Sequence, residues 1–176
     1  MVSRDVPPEA ALIAERRTNR LPSPSISLRD AAAAATETGA SMSEAGWRAI
    51  EKGRYEAKPE ILAAMAKVVG VTPTELEEIA ERDGRENARR AAVMLSAYLH
   101  ERARHEPAMA QIDPGTPESV LQLILQGIDD IRSAPGFTDD QKASLEKNLI
   151  ETVTQTVAGQ IAQIRTTLEI VQQKGR

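Results

Sequence analysis

The sequence predicts an all-α fold, and three observations support this prediction. Alanine, the best helix former, is abundant and forms an unbroken run at 31–35. Only four residues are aromatic, whereas β-strands draw on aromatic and β-branched side chains. Apolar residues recur at spacings of three or four, which places them on one face of a helix. We therefore expect closely packed helices joined by short connections.

Two helices are predicted before residue 39. A Pro-Pro pair precedes EAALIAERR, and the stretch LPSPSIS at 21–27 ends this first helix. Ser27 is a suitable N-cap for the second helix, LRDAAAAATE, because Asp30 follows three residues later as in an approximate capping box. Gly39 can end the second helix, since glycine adopts a left-handed conformation readily.

Three more helices are predicted up to residue 82. Ser43 caps EAGWRAIEK, and Trp47 and Ile50 share one face of that helix, which indicates that both belong to the core. A proline opens the fourth helix, EILAAMAKVV, and a glycine ends it. Thr72 caps the fifth, PTELEEIAER, and Glu75 completes a capping box.

Beyond residue 82 the sequence predicts a basic helix and a linker. The helix, RENARRAAVMLSAYLHERAR, is amphipathic. Its apolar side holds Ala91, Met94, Leu95, Tyr98 and Leu99. Its arginines are Arg85, Arg89, Arg90, Arg102 and Arg104, which form either a solvated face or an additional contact with a polyanion. The following EPAMAQIDPGTP contains three prolines and a glycine, which is typical of a linker.

Two helices are predicted in the last part of the chain. Thr116 caps the first, and the second starts at the Thr138 cap and runs towards Gln173. The apolar stripe of the second helix consists of Leu145, Leu149, Val153, Val157, Ile161, Ile164, Leu168 and Val171. Such a helix extends roughly 50 Å, so its shorter neighbour cannot cover the whole stripe. A second copy of the chain is the simplest way to cover the rest.

The N-terminal pattern resembles the lambda-repressor-like, Cro/XRE class of helix-turn-helix domains over residues 8–80. The segment SEAGWRAIEKG at 43–53 is similar to the recognition-helix pattern of that family, and KPEILAAMAKVVGVTPTEL at 58–76 is similar to its last two helices. The resemblance implies a five-helix domain that binds double-stranded DNA. It also implies that the N-terminal end of the third helix enters the major groove.

The resemblance also assigns roles to individual residues. Those expected to face base edges are Glu44, Ala45, Arg48 and Ala49. Those expected to contact phosphates are Ser43, Lys52, Arg54 and Lys58. Arg48 is the best candidate for direct readout, because the guanidinium fork can bond guanine at two atoms. A structural ion pair is implied between Glu51 and an arginine of the first helix, either Arg16 or its neighbour Arg17.

The sequence departs from the family pattern in two ways. More residues than usual lie between Ser27 and Ser43, so either the second helix is longer or the turn is an open loop. In addition, Glu44 and two alanines occupy positions where polar donors are common. Glu44 can accept a hydrogen bond from cytosine N4, but it repels phosphate. The expected affinity of a single domain is therefore modest.

These observations predict three regions: a DNA-binding domain at 8–82, a basic helix and Pro-rich linker at 83–115, and a helical hairpin or coiled coil at 116–176 that forms homo-oligomers. The expected function is a sequence-specific transcriptional regulator, with repression by a dimer as the default because occluding a promoter needs only binding. The alternative is a non-catalytic adaptor that uses the same fold to bind a protein, which the acidic balance and Glu44 permit.

Other function classes find no support in the sequence. The chain has no cysteine, and His100 and His105 are five residues apart, which does not stack their rings on one helix face. No Ser-His-Asp order or glycine-rich phosphate loop is present, so we expect neither an enzyme, nor a metal, nor a cofactor. No long apolar segment suggests a membrane, and we expect a soluble cytoplasmic protein. Its net charge of −4 limits any DNA contact to a local patch.

Overall fold

The computed structural model describes residues 6–19, 25–110, 112 and 116–174, and beyond residue 160 it describes one side chain, Gln163. All regular structure in these ranges is helical, which confirms the predicted all-α class. The helices are α1 (Pro8–Thr18), α2 (Leu28–Glu37), α3 (Glu44–Glu51), α4 (Pro59–Val69), α5 (Pro73–Asp83), α6 (Glu86–His105), α7 (Glu118–Ser133) and α8 (Asp139–Lys174). A short 3-10 turn at Pro107–Met109 follows α6.

Local capping sets the boundaries of the N-terminal helices, as the sequence predicted. The Ser27 and Ser43 hydroxyls accept the backbone N–H three residues later, each at 3.1 Å. Thr72 does the same for Glu75 at 3.2 Å, and the Glu75 carboxylate accepts the Thr72 N–H at 2.8 Å, which completes the capping box. Gly70 ends α4 at φ 77°, where a side chain would be strained. These caps satisfy backbone groups that a helix end leaves unpaired.

The described residues form two compact units. The first runs to Arg102 and adds Pro117–Gln122, and the second contains the remainder. In the first unit α2 packs against α3 and α4, and the small alanine side chains on its buried face allow close approach. Its largest fully buried side chains are Ile13, Trp47, Leu62, Met65, Val69, Val71, Leu76 and Leu95. The predicted core role of Trp47 is therefore confirmed.

A buried ion pair joins α1 to the start of α6. The Glu9 carboxylate is almost fully buried and accepts hydrogen bonds from Arg85 Nη2 at 2.7 Å and Arg85 Nε at 3.1 Å. Arg85 Nη2 also donates to Glu56 at 3.2 Å. These carboxylates, and the hydrogen bond to Glu9 above all, raise the pKa of the Arg85 guanidinium. Arg85 is therefore a structural residue, although the sequence placed it with the exposed arginines of α6.

The buried face of α6 is also narrower than predicted. Ala91, Leu95 and Leu99 are buried, but Met94 is exposed. Tyr98 is half-buried, and the Lys67 ammonium lies 3.6 Å from the centre of its ring. Met94 falls at the edge of the apolar stripe, where the helix already faces solvent.

Residues 117–122 belong to the first unit rather than to the last part of the chain. Glu118 accepts hydrogen bonds from the Ser96 hydroxyl and from His100 Nε2, the latter at 3.1 Å. The buried Gln122 side chain donates to the Val71 carbonyl at 3.1 Å. The unit that contains α1–α5 thus extends to residues that follow it at some distance in sequence.

The second unit contains α8 and the part of α7 that follows Gln122. Arg132 donates to Glu106 and Glu146, in each case at 2.9 Å, and these hydrogen bonds raise the pKa of its guanidinium. Glu106 lies in the segment predicted as a linker, so part of that segment is packed. Leu149 packs directly over Gly127, where an added Cβ would come within 2.6 Å of the leucine methyl carbon.

The apolar stripe of α8 is only partly covered where the structure describes it. Leu145 is exposed, and Leu149, Val153 and Val157 are half-buried. The other members of the predicted stripe, Ile161, Ile164, Leu168 and Val171, lie outside the described side chains. Over the described ranges, no helix is long and apolar enough to cross a membrane. The same residues contain no group of three or more His, Asp or Glu side chains that could hold a metal ion.

Candidate nucleic-acid interface

The third helix, α3, is strongly two-sided. Trp47 and Ile50 are buried on its inner face. On its outer face Glu44, Ala45 and Arg48 are exposed, and Ala49 is partly exposed. The four residues expected to face base edges therefore lie on α3 with at least part of each side chain accessible. The small alanines leave room for a partner to approach the helix backbone closely.

The turn between α2 and α3 contains the residues by which this chain exceeds the usual length of the family pattern. Because α2 ends at Glu37, the surplus lies in the turn at 38–43 and not in a longer helix. Hydrogen bonds close this turn: the Thr36 hydroxyl donates to the Met42 carbonyl at 3.1 Å and accepts the Met42 N–H at 3.3 Å. The Ala40 N–H also donates to the Ala35 carbonyl at 3.2 Å. The turn is longer than the family pattern suggests, but it is tied to the end of α2.

A hydrogen-bonded ion pair fixes α3 to α1. Arg17 Nε donates to Glu51 Oε1 at 2.7 Å, and Arg17 Nη2 donates to Glu51 Oε2 at 3.0 Å. The Trp47 indole N–H donates to the same Glu51 Oε1 at 2.7 Å. Arg17 Nη1 reaches the Ile26 carbonyl at 3.1 Å. One arginine thus connects α1, the residue just before the α2 cap, and the end of α3.

The choice between Arg16 and Arg17 is therefore resolved in favour of Arg17. Its side chain is 15% exposed and that of Glu51 is 9% exposed, so the pair is largely buried. Arg16 pairs instead with Glu75, the capping-box residue of α5, and those side chains are 36% and 29% exposed. The two neighbouring arginines of α1 thus hold two different helices.

The exposed face of α3 contains one internal ion pair. Arg48 Nη2 donates to Glu44 Oε1 at 2.6 Å across one helical turn, and the side chains are 51% and 45% exposed. Because the carboxylate contacts a single nitrogen, the other donors of the guanidinium stay available. Glu44 therefore partly neutralises Arg48 without enclosing it.

The residues expected to contact phosphates precede and follow α3 in sequence. Ser43, Lys52, Arg54 and Lys58 are all exposed. Within the described part of the chain, none of the three cations forms an ion pair. The Ser43 hydroxyl accepts the Gly46 N–H as a helix cap, and its own proton can still be donated. The three cations lie close together in sequence and make up a basic cluster on a chain of net negative charge.

Arg29 is a further exposed cation near the start of α2, and the sequence pattern did not indicate it. It lies in the first turn of α2, the helix that packs against α3, and it has no ion pair within the described ranges. Its position two residues after the Ser27 N-cap could have indicated it. Side chains at the start of a helix lie beside backbone N–H groups that have no partner within the helix. Those groups and the guanidinium favour an anion, whereas the Asp30 carboxylate in the same turn opposes one.

A comparison with known protein families agrees with this geometry. Residues 10–79 match the family described as "Helix-turn-helix domain". This match confirms the resemblance found in the sequence for that segment, which is less than half of the chain. No match was found among curated proteins or among solved structures. The segment is thus similar to a helix-turn-helix domain, a class of domain that DNA-binding regulators use, and the matched residues include all of α3.

Replacing Arg17 by alanine should destabilise the protein strongly, whereas replacing Arg16 should not. Loss of Arg17 leaves the buried Glu51 charge without its main partner, which costs about 3 kcal/mol or more. Loss of the more exposed Arg16 should cost below about 1 kcal/mol. Urea denaturation of both variants, followed by the Trp47 fluorescence, measures the difference. Equal losses of stability would contradict the assignment of Arg17 as the buried partner.

Proposed function

We propose that this protein is a sequence-specific, double-stranded DNA-binding transcriptional regulator that represses transcription as a homodimer. The observation that carries the proposal is the accessible face of α3, which the buried Arg17–Glu51 pair holds in place. Glu44, Ala45, Arg48 and Ala49 of that face read base edges. A base-reading side chain must be exposed and its helix must be fixed, and α3 meets both conditions.

The basic cluster supplies the electrostatic part of binding. Lys52, Arg54 and Lys58 contact phosphates, and Ser43 donates a hydrogen bond at the start of the helix. Because these cations form no ion pair in the described ranges, no internal partner has to be released when they bind phosphate. Such contacts fix the register of the protein on the duplex and make its affinity depend on salt.

Dimerisation through residues 116–176 offsets the modest affinity of one domain. Two linked weak binders gain affinity through their effective local concentration. The half-buried Val153 and Val157 on the long helix α8 supply apolar surface for a second copy. A two-fold dimer matches inverted half-sites spaced by about one helical turn, roughly 34 Å. Bound at a promoter in the cytoplasm, it represses by occlusion.

Selection of genomic DNA tests the central claim. The full-length protein is mixed with fragments of its own genome at moderate salt, and the retained fragments are sequenced. We expect a few sites that share a motif, and we expect Arg48→Ala to lose or relax that motif. Arg82→Ala is the matched control, because Arg82 is also exposed and also pairs with a carboxylate, that of Asp83. Fragments retained without preference by every variant would favour the protein-binding adaptor instead.

The salt dependence of binding tests the phosphate contacts. The logarithm of the affinity should fall linearly with the logarithm of the salt concentration, and the slope should change by roughly 0.9 for each phosphate that a variant no longer neutralises. Lys52→Gln and Lys58→Gln should each make the slope shallower. Lys147→Gln, which removes an exposed lysine of α8, should leave it unchanged. Fluorescence anisotropy over a salt series provides the slopes, and identical slopes for all variants would refute the assigned phosphate-binding residues.

Sedimentation velocity tests the dimer. The wild-type chain should sediment as a dimer, and Val157→Lys should shift it towards monomer because a charge in the apolar stripe must be desolvated on association. Ala158→Lys places the same charge on the exposed neighbouring position and should leave the dimer intact. A monomeric wild-type chain, or equal effects of the two variants, would show that α8 does not mediate association.

A further inference from the structure

The contact between Glu44 and Arg48 leaves specific hydrogen-bonding groups open. Arg48 has five N–H donors, and only Nη2 is engaged, by Glu44 Oε1 at 2.6 Å. Glu44 Oε2 has no partner within the described part of the chain. The pair therefore presents two adjacent donors from the guanidinium and, next to them, an acceptor from the carboxylate. Because this hydrogen bond restrains both side chains, the remaining donors of Arg48 and the second oxygen of Glu44 are held near one another before any ligand binds.

This order of groups is complementary to one kind of base pair. In the major groove, guanine offers two acceptors, N7 and O6, and the cytosine paired with it offers a donor, N4. Adenine instead offers an acceptor and a donor, and its thymine offers an acceptor. Against an A·T pair, one guanidinium donor would face the adenine N6 donor, and the carboxylate would face the thymine O4 acceptor. An A·T pair would thus make two unfavourable contacts, one with Arg48 and one with Glu44.

We propose that Glu44 and Arg48 read a single G·C base pair as one unit. Arg48 donates to guanine N7 and O6, and Glu44 accepts from cytosine N4. The inference rests on the proposed function, because α3 must lie in the major groove for the pair to reach a base edge. It also accounts for an acidic residue on a DNA-binding face: the Arg48 charge offsets the Glu44 charge, and the carboxylate adds a specific acceptor.

The test uses the motif that the full-length protein selects. Glu44→Gln should weaken the discrimination against A·T at one position of each half-site, because the amide N–H of glutamine can donate to the thymine O4 that repels a carboxylate. Arg48→Ala should lose the preference at the same position. Both side chains are exposed, so thermal unfolding should show that both variants keep the fold.

Modified bases identify the atoms. Replacing guanine at that position by 7-deazaguanine removes N7 and should weaken wild-type binding by about tenfold, a factor that a bidentate contact can supply. Inosine keeps N7 and O6 in the major groove and should bind nearly as well as guanine. In Arg48→Ala the 7-deazaguanine effect should disappear.

Two results separate the possible failures. If the selected motif is specific but Glu44→Gln leaves every position unchanged, or Arg48 governs a position that is not G·C, the paired readout is overturned and the regulator stands. If no motif is selected by the wild-type protein, the proposed function fails and the paired readout fails with it.

Discussion

The position of α3 depends on one buried carboxylate. Glu51 accepts three hydrogen bonds, two from Arg17 and one from the Trp47 indole, and it is almost excluded from solvent. Removing these charges from water costs several kcal/mol, so the pair adds little net stability compared with apolar residues. The pair instead fixes the orientation of α3 relative to α1, because a bidentate contact forms in one geometry. The small buried alanines of α2 define the position of a neighbouring helix less strictly. The outward face of α3 is fixed for this reason.

A second buried pair extends the domain beyond its five helices. Glu9 and Arg85 connect α1 to the start of α6, and the contacts of Glu118 and Gln122 bring a later segment into the same unit. Because the Arg85 guanidinium is engaged by Glu9 and Glu56, it is not available to bind a polyanion. Among the described residues, the exposed cations in and directly after α3 are Arg48, Lys52, Arg54 and Lys58. Under the proposed function, the placement of each one would therefore matter more than the total charge.

Local features could be predicted from the sequence, and non-local pairings could not. The caps at Ser27, Ser43 and Thr72 act over three residues, so their helices begin where the sequence indicates. Arg16 and Arg17 are adjacent, and only the packing of α1 decides which one faces Glu51. The sequence also could not show whether the extra residues before α3 lengthen α2 or the turn. That outcome depends on the hydrogen bond between Thr36 and Met42, which lies six residues away. The distant partners of Glu9, Glu118 and Gln122 had no signal in the sequence at all.

Under the proposed function, the acidic balance of the chain and the small basic cluster would favour discrimination between DNA sequences over high affinity for DNA in general. Non-specific binding depends almost entirely on phosphate contacts, and a chain of net charge −4, with few exposed cations in and directly after α3 among the described residues, would make few of them. Base contacts are added only at correct sites. In a genome, selectivity depends on the ratio of specific to non-specific affinity. A lower non-specific affinity raises that ratio as effectively as a higher specific affinity. The proposed paired readout by Glu44 and Arg48 would act in the same direction, since the pair gives up part of the attraction to phosphate in exchange for an acceptor that only a correct base pair satisfies.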